Sequence, residues 1–237
     1  MRGTPTLYFG PMTEAEEFWN SRYAERDRIW SGRPNAALVD AVAPLAPGRV
    51  LDLGCGEGGD SVWLAEHGWT VSGLDVSATA LDRARTEAES RGLAIDWVLA
   101  DLATWEPTGE YDLVSACFLH SPITFPRTAV LRRLAVAVAP GGHLLLVGHA
   151  EPPPWSRYAG QEAGHGHGHG HGHGEDHSDH DPATTHRFLT AEEELAELAL
   201  GPEWTPVTVA LRERPATGPD GEQAVLRDSI VLVRRAD

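Results

Sequence analysis

The chain has 237 residues, a hydrophobic content of 41% and a formal net charge of −16. This size and composition fit one domain with an ordinary core, while the acidic balance argues against a nucleic-acid partner, which usually meets a basic patch. All 19 basic residues are arginines, so a lysine Schiff base and a phosphate-loop lysine are both excluded.

Cellular location is suggested by the apolar runs and the cysteines. No apolar run approaches the ~20 residues that a membrane span needs, and the N-terminus lacks the basic-then-apolar layout of a secretory signal. Two cysteines, Cys55 and Cys117, are too few for a disulfide framework. We therefore expect a cytoplasmic protein without a membrane partner, either a monomer or a homodimer.

The predicted elements alternate between helices and strands. A Thr-x-x-Glu capping box at Thr13 predicts a helix to about Trp30, and a second helix is predicted at 34–46. Strands follow at 49–53, 69–75, 95–101, 111–120 and 143–150, separated by helices at 57–67, 77–91 and 127–138. After an aperiodic stretch come a helix at 190–200 and two strands, 204–212 and 224–234. This alternation predicts an α/β fold with a mostly parallel sheet.

Four parts are expected within the single domain of residues 1–237. Residues 1–46 form an N-terminal helical lid, and residues 47–150 form the cofactor-binding core. Residues 151–187 are a Pro-, Gly- and His-rich insertion without helical or strand periodicity. Residues 188–237 supply a helix and a C-terminal β-hairpin, which places one strand antiparallel to the rest.

A glycine loop follows the first predicted strand. A strand, a glycine loop and a helix start form the usual site for an adenine nucleotide, and Asp75 stands 75 − 54 = 21 positions after Gly54, near the ~20 expected for an acid that binds ribose. Gly54, Gly56 and Gly59 also satisfy the dinucleotide motif G-x-G-x-x-G, so a dinucleotide oxidoreductase is the rival interpretation.

Three further features favour a different nucleotide ligand. Asp52 lies inside the end of the first strand, Asp101 closes the third strand, and the chain ends in a hairpin. The segments "VLDLGCGEG", "GLDVS", "ADL" and "APGGHLLLV", from Val50 to Val147, resemble the successive motifs of class I S-adenosylmethionine-dependent methyltransferases. The resemblance implies a Rossmann-like seven-stranded mostly parallel sheet with an antiparallel last strand and helices on both faces.

The resemblance also implies S-adenosyl-L-methionine as cofactor, a small-molecule acceptor at oxygen, nitrogen or sulfur, and a set of binding residues. Asp52 would orient the ammonium group, Asp75 would bind both ribose hydroxyls, and Asp101 would accept from the adenine amino group. The alternative for the first two acids is a helix cap and a turn acid. The implied cofactor residues are Asp52, Gly54, Cys55, Gly56, Gly58, Asp75, Val76, Asp101, Leu102, Cys117 and Phe118.

A second, looser resemblance involves the segment "FWNSRYAERDRIWSGRPN". It is similar to the start of small-molecule methyltransferases of the tellurite-resistance and thiol/metalloid type, in which an aromatic-bearing helix covers the donor. Tyr23 and Trp30 would then contact the cofactor or close its pocket. This resemblance implies a thiol or metalloid oxyanion as the alternative acceptor; a helix merely packed against the sheet is the alternative role for the segment.

Two histidines are candidate general bases. His120 follows the fourth strand and His149 closes the fifth, at the edge of the sheet where acceptors bind, and a neutral imidazole can take a proton near pH 7. A loop histidine bonded to the backbone is the alternative for His120. Arg127 and Arg157 are candidates for holding an anionic acceptor, although either could be solvated.

A histidine tract lies within the insertion. Imidazoles are common ligands of divalent transition metals, and alternate residues of an extended chain point to one side, so neighbouring rings could share an ion. The alternatives are a low-complexity insertion with adventitious metal affinity, a metal-responsive lid, or a non-catalytic metal-binding module. The candidate ligands are His165, His167, His169, His171 and His173.

Overall fold

The structure, a computed structural model, describes residues 12–156 and 187–237. Within these residues the strands are β1 (Arg49–Leu53), β2 (Thr70–Asp75), β3 (Asp96–Leu99), β4 (Tyr111–Cys117), β5 (Val138–His149), β6 (Trp204–Thr217) and β7 (Gln223–Arg235). The helices are α1 (Glu14–Ala24), α2 (Ala36–Val42), α3 (Gly59–Glu66), α4 (Ala78–Ser90), α5 (Arg127–Leu134) and α6 (Ala191–Leu198).

The seven strands form one sheet in the order β3-β2-β1-β4-β5-β7-β6. Strands β1 to β5 are parallel, and β7 runs antiparallel to both of its neighbours, β5 and β6. The predicted α/β fold class, a mostly parallel sheet of seven strands with an antiparallel last strand, is confirmed. In the described residues no helix is long and apolar enough to cross a bilayer.

Helices cover both faces of the sheet, as alternate residues of its strands show. Leu144 of β5 packs in one buried cluster with Leu131 of α5, whereas the next residue, Leu145, packs in a second cluster with Leu38 of α2. Successive side chains of a strand point to opposite faces. The central strands are therefore apolar on both sides, and their polar residues gather at the strand ends.

The N-terminal helix is shorter than predicted. The capping box is present, with the Glu16 carboxylate accepting from the Thr13 amide at 2.7 Å, but α1 ends at Ala24 rather than near Trp30. In the following segment, backbone amides donate hydrogen bonds to acids of the core, as described below, instead of to carbonyl oxygens of the helix. The second helix is also shorter, spanning Ala36–Val42 instead of 34–46.

Two strand boundaries differ from the prediction. Strand β4 ends at Cys117 rather than at residue 120, because Phe118 has a φ of 51°, in the left-handed region. Strand β5 begins at Val138 rather than at residue 143, since Tyr111 of β4 pairs with Val138 before a bulge restores the register. The final hairpin is longer than predicted and extends to Thr217 in β6.

Candidate functional site

The loop between β1 and α3 depends on glycine. Gly54, Gly56 and Gly58 have φ values of 66°, 54° and 79°, in the region that disfavours other residues. A Cβ atom at Gly54 would lie 2.6 Å from the Leu119 side chain, which follows β4. The predicted glycine loop therefore lies against the residues that follow β4, at the carboxyl edge of the sheet.

Asp75, at the end of β2, holds this loop in place. Its Oδ2 accepts from the Gly56 amide at 2.8 Å and its Oδ1 accepts from the Ser77 amide at 2.9 Å. Burial raises the pKa of the Asp75 carboxyl, an effect that these amide donors oppose. Each oxygen of an ionised carboxylate has a second lone pair, so Asp75 retains acceptor capacity for a ligand.

Asp52, at the end of β1, lies beneath the loop and is 2% exposed. Its two oxygens accept from Ser61 Oγ at 2.6 Å and from Ser115 Oγ at 3.1 Å. Burial, and secondly the neighbouring Asp60, raise the pKa of Asp52 to about 7. The Asp52 side chain is therefore closed off from solvent and influences the loop through its charge.

Four buried carboxyl groups surround the glycine loop, and we call them the acidic cluster: Asp52, Glu57, Asp60 and Asp75. In the described part of the chain, the salt bridge that reaches this cluster comes from Arg83, whose Nη1 donates to Glu57 at 2.8 Å. Burial raises the pKa of Asp60, which hydrogen bonds from Asn35 oppose. With four carboxyl groups and one arginine, the loop region becomes more negative as these carboxyl groups ionise with rising pH.

The N-terminal segment covers the loop through two aromatic side chains. The Tyr23 hydroxyl accepts from Trp30 Nε1 at 3.0 Å, and a Cβ atom at Gly56 would lie 2.8 Å from that hydroxyl. Tyr23 is buried whereas Trp30 is 55% exposed. Burial and the charge of Asp75 raise the pKa of Tyr23 above its ordinary value. Tyr23 lies directly over the loop, and Trp30 forms its outer cover.

Acids of the core anchor this segment, and sequence reasoning did not find them. Glu57 accepts from the Trp30 amide at 2.9 Å, and Asp60 accepts from the backbone amide of Asn35 at 2.6 Å and from its side chain at 2.7 Å. Arg83 donates to two carbonyl oxygens of the same segment. The partners in these contacts are 25 to 60 positions apart in sequence, so no local sequence pattern indicates the contacts.

The other predicted cofactor residues lie around the same edge. The Asp101 carboxylate accepts from the Ala103 amide at 2.8 Å and closes the turn after β3, while Leu102 is buried in the core. The Cys117 thiol hydrogen-bonds to Asp60, and burial raises the pKa of this thiol and of Cys55. Their roles toward a ligand, like that of Val76, stay predictions.

Aromatic and imidazole rings follow β4 and β5. The Phe118 ring lies 4.6 Å from the His149 ring, and the His120 and His149 rings are nearly parallel at 5.8 Å. His120 Nε2 accepts from the His149 amide at 3.3 Å. The structure thus brings both candidate bases and Phe118 together, with His120 engaged by the backbone as its alternative interpretation describes.

The antiparallel strand adds two residues that sequence reasoning missed. Asp228 of β7 is 1% exposed, and its Oδ1 lies 3.0 Å from His149 Nδ1. Arg214 of β6 donates from Nε to the other oxygen, Oδ2, at 2.5 Å, and its guanidinium lies over the Phe118 ring at 5.6 Å. Nothing in the sequence marks Asp228 as different from other strand acids.

The candidate residues for binding an anionic acceptor or a metal ion are either paired within the protein or outside the described residues. Arg127 is paired with the buried Glu194, Nη1 to Oε1 at 2.5 Å, and donates to the Leu119 carbonyl. Its charge is therefore matched within the protein. Arg157 and the histidine tract lie outside the described residues. Within the described ranges, no three His, Cys, Asp or Glu side chains are arranged so that they could hold a metal ion.

Comparison with known proteins shows what the core is similar to. Residues 50–142 match the family described as a methyltransferase domain. The chain is 38% identical over 109 residues to the ubiquinone biosynthesis O-methyltransferase of Ralstonia nicotianae, covering 45% of each protein. It is 38% identical over 120 residues to the ribosomal RNA small subunit methyltransferase C of Alcanivorax borkumensis, covering 45% of this chain and 34% of that protein.

A solved structure extends the likeness in fold. The N-methyltransferase NodS of Bradyrhizobium japonicum, in complex with S-adenosyl-L-homocysteine, superposes with a TM-score of 0.64 at 17% identity, covering 94% of this chain and all of that one. The chain spans less than half the length of the two relatives above. By their names these three proteins methylate at different acceptors, so the shared core does not specify an acceptor.

Proposed function

We propose that this chain, whose residues 50–142 belong to the methyltransferase domain family and whose fold is that of class I S-adenosylmethionine-dependent methyltransferases, transfers a methyl group to a small-molecule acceptor at oxygen, nitrogen or sulfur. S-adenosyl-L-methionine is the cofactor of this family and the methyl donor. The charged groups around the glycine loop support this function.

The acidic cluster is the observation that carries the proposal. S-adenosyl-L-methionine brings a sulfonium and an ammonium group, and four buried carboxyl groups with one salt-bridged arginine favour a cation at the loop. The pyrophosphate of a dinucleotide would bring negative charge to the same place, where like charges in a partly desolvated site repel. The charge therefore favours the sulfonium cofactor over the rival dinucleotide.

The residues at the loop fit this cofactor. Gly54, Gly56 and Gly58 allow the left-handed backbone turns of the loop, and the Asp75 carboxylate has lone pairs to offer a ribose diol. Asp52 would attract the ammonium group from beneath the loop through its charge. Val76, Asp101 and Leu102 would border the adenine.

The cofactor supplies an activated methyl group, so the work of the chain is binding, orientation and exclusion of water. Tyr23 and Trp30 would close the cofactor side, because they already lie over Gly56. Phe118, beside His149, would border the acceptor. A hydroxyl acceptor would benefit from a general base, whereas a thiolate or an amine lone pair would need less help.

The test is ligand-dependent stability followed by product detection. Melting temperature is measured with S-adenosyl-L-methionine, S-adenosyl-L-homocysteine and NAD, and release of S-adenosyl-L-homocysteine is then assayed with phenols, alcohols, amines, thiols and selenite or tellurite. We expect stabilisation by both sulfur compounds, none by NAD, and turnover of part of the panel. Stabilisation by NAD alone would refute the proposal.

Two alternatives have their own outcomes in this assay. Turnover of thiols or metalloid oxyanions alone would support the alternative acceptor class, which the aromatic cover over the loop favours. A non-catalytic metal-binding module would bind Ni²⁺ or Zn²⁺ without any turnover. Calorimetry with these metals, on the full chain and on a chain lacking residues 164–180, tests whether the histidine tract binds metal. Measuring turnover with and without metal tests whether the tract acts as a metal-responsive lid.

A further inference from the structure

His149, Asp228 and Arg214 form a hydrogen-bonded relay that the proposed function does not yet use. The antiparallel pairing places Asp228 of β7 directly opposite His149 at the carboxyl end of β5. The Asp228 carboxylate then has one oxygen 3.0 Å from His149 Nδ1 and the other bound to Arg214 Nε. A buried charged residue with two specific partners is costly to assemble, and such groups are frequent at functional sites.

The relay determines which nitrogen of His149 carries the proton. Asp228 accepts a hydrogen bond from the Arg214 guanidinium, and a carboxylate can only accept hydrogen bonds. Nδ1 of His149 must therefore donate, which leaves Nε2 with a free lone pair in the neutral ring. Among the described residues no hydrogen bond to His149 Nε2 is formed, and the side chain is 21% exposed.

The position of the ring places that lone pair on the acceptor side. Strand β4 lies between β1 and β5, so His149 is two strand spacings, about 10 Å, from the glycine loop. A donor methyl group and a small acceptor would lie within this interval. The Phe118 ring contacts His149, and the left-handed φ of Phe118, 51°, is a backbone strain typical of functional sites.

The neighbouring histidine is less suited to the same task. His120 Nε2 already accepts from the His149 amide at 3.3 Å, so that nitrogen supports the backbone. In the described residues, His149 contacts His120 after β4 and Asp228 on β7, and Arg214 on β6 pairs with Asp228. The geometry therefore distinguishes the two candidate bases, which the sequence could not.

We propose that His149 is the general base of this chain, positioned by Asp228 and Arg214, and that its acceptor is a small hydroxyl compound, a phenol or an alcohol. This inference rests on the proposed methyl transfer. The acceptor O–H bond breaks as its proton moves to His149 Nε2. The oxygen forms the new bond to the methyl carbon, the carbon–sulfur bond breaks, and its electron pair stays on sulfur as neutral S-adenosyl-L-homocysteine. The imidazolium then returns the proton to solvent.

The test compares acceptors of different acidity. Release of S-adenosyl-L-homocysteine is measured with p-cresol, the more acidic p-nitrophenol, alcohols, amines and thiols, using the full chain, His149→Gln and Asp228→Asn. With p-cresol or the best hydroxyl acceptor, we expect kcat to fall at least ~100-fold in His149→Gln and ~10-fold or more in Asp228→Asn. Loss should shrink as the acceptor becomes more acidic, because an acceptor that ionises by itself needs no base.

Controls separate this inference from folding and from the proposed function. His143→Gln, in the middle of β5, and Asp220→Asn, in the hairpin turn, should leave kcat unchanged. Melting temperature and S-adenosyl-L-homocysteine affinity show that each variant is folded; should Asp228→Asn fail to fold, Arg214→Gln replaces it. Equal losses for all acceptors, unchanged kcat in folded His149→Gln, or turnover of thiols or amines but no hydroxyl compound would overturn the inference. Absence of cofactor binding would instead refute the proposed function.

Discussion

The carboxylate of Asp75 accepts a hydrogen bond from the backbone amide of Gly56 at 2.8 Å, so the end of β2 holds the loop that follows β1. This contact joins two features that the sequence presents separately, the glycine loop and the acid after the second strand. It also means that Asp75 has a structural role whether or not a ribose is bound. Substitutions at this position therefore change both the stability and the ligand affinity of the protein.

Asp75→Ala removes the acceptor of two backbone amides and of the proposed ribose contact. We expect the affinity for S-adenosyl-L-homocysteine, measured by calorimetry, to fall at least ~10-fold, together with a loss of about 1–3 kcal/mol in the free energy of unfolding. Asp82→Asn, on the exposed surface of α4, is the matched control and should change neither. Unchanged affinity in Asp75→Ala would remove the central support of the proposed site.

Asp52 is expected to lower the stability of the ligand-free protein and to increase its affinity for a cationic ligand. Its pKa is raised to about 7 in the folded protein, so its stabilising contribution is complete below about pH 4 and is lost as the pH rises to about 7. Asp52→Asn should therefore raise the free energy of unfolding of the ligand-free protein by about 1 kcal/mol near pH 7.5, and by less near pH 5. Urea unfolding at the two pH values measures this difference.

The same titration predicts a pH dependence of cofactor binding. A cationic ligand binds better to the ionised form of Asp52, so the affinity for S-adenosyl-L-methionine should increase between about pH 6 and pH 8. In Asp52→Asn the affinity should be several-fold lower at pH 8, and its rise with pH should be smaller. A variant that binds as tightly as the parent chain at pH 8 would contradict an electrostatic role for Asp52.

Gly56→Ala tests the contact between the loop and the aromatic cover. Gly56 and Gly92 have φ values of 54° and 69°, but a Cβ at Gly56 would lie 2.8 Å from the Tyr23 hydroxyl, whereas a Cβ at Gly92 meets nothing within 4 Å. Gly92→Ala should cost only the left-handed strain, about 1–2 kcal/mol. Gly56→Ala should cost more and also weaken cofactor binding. If both substitutions lower the free energy of unfolding equally and cofactor binding is unchanged, then Tyr23 does not contact the loop closely.

Glu57→Gln tests the anchoring of the N-terminal segment. Glu57 is buried, accepts from the Trp30 amide and pairs with Arg83, so its neutralisation leaves Arg83 without its ionic partner. We expect faster trypsin cleavage after the arginines of residues 22–33 and weaker cofactor binding. Glu66→Gln, which removes a surface salt bridge on α3, is the control. Cleavage at the parent rate in Glu57→Gln would argue against this anchor.

The core of the fold was predictable because its signals are local. Buried parallel strands are short apolar runs, and the glycine loop and Asp75 follow such runs directly, so their place at the carboxyl edge of the sheet follows from strand order. The predicted end of α1 was several residues too late in the sequence, for a physical reason. Helical periodicity continues to about Trp30, but Glu57 offers the backbone amides of Ile29 and Trp30 a partner outside the helix.

The sequence by itself determined an α/β chain with a glycine loop, two strand-end acids and two histidines at one edge of a sheet, because these patterns are written in neighbouring residues. Only the tertiary structure decided how those groups are used. It paired His149 with Asp228, 79 positions away, and placed the acidic cluster under an aromatic cover. Such contacts arise from the antiparallel return of β7 and the docking of the N-terminal segment, and no local periodicity encodes the register of either.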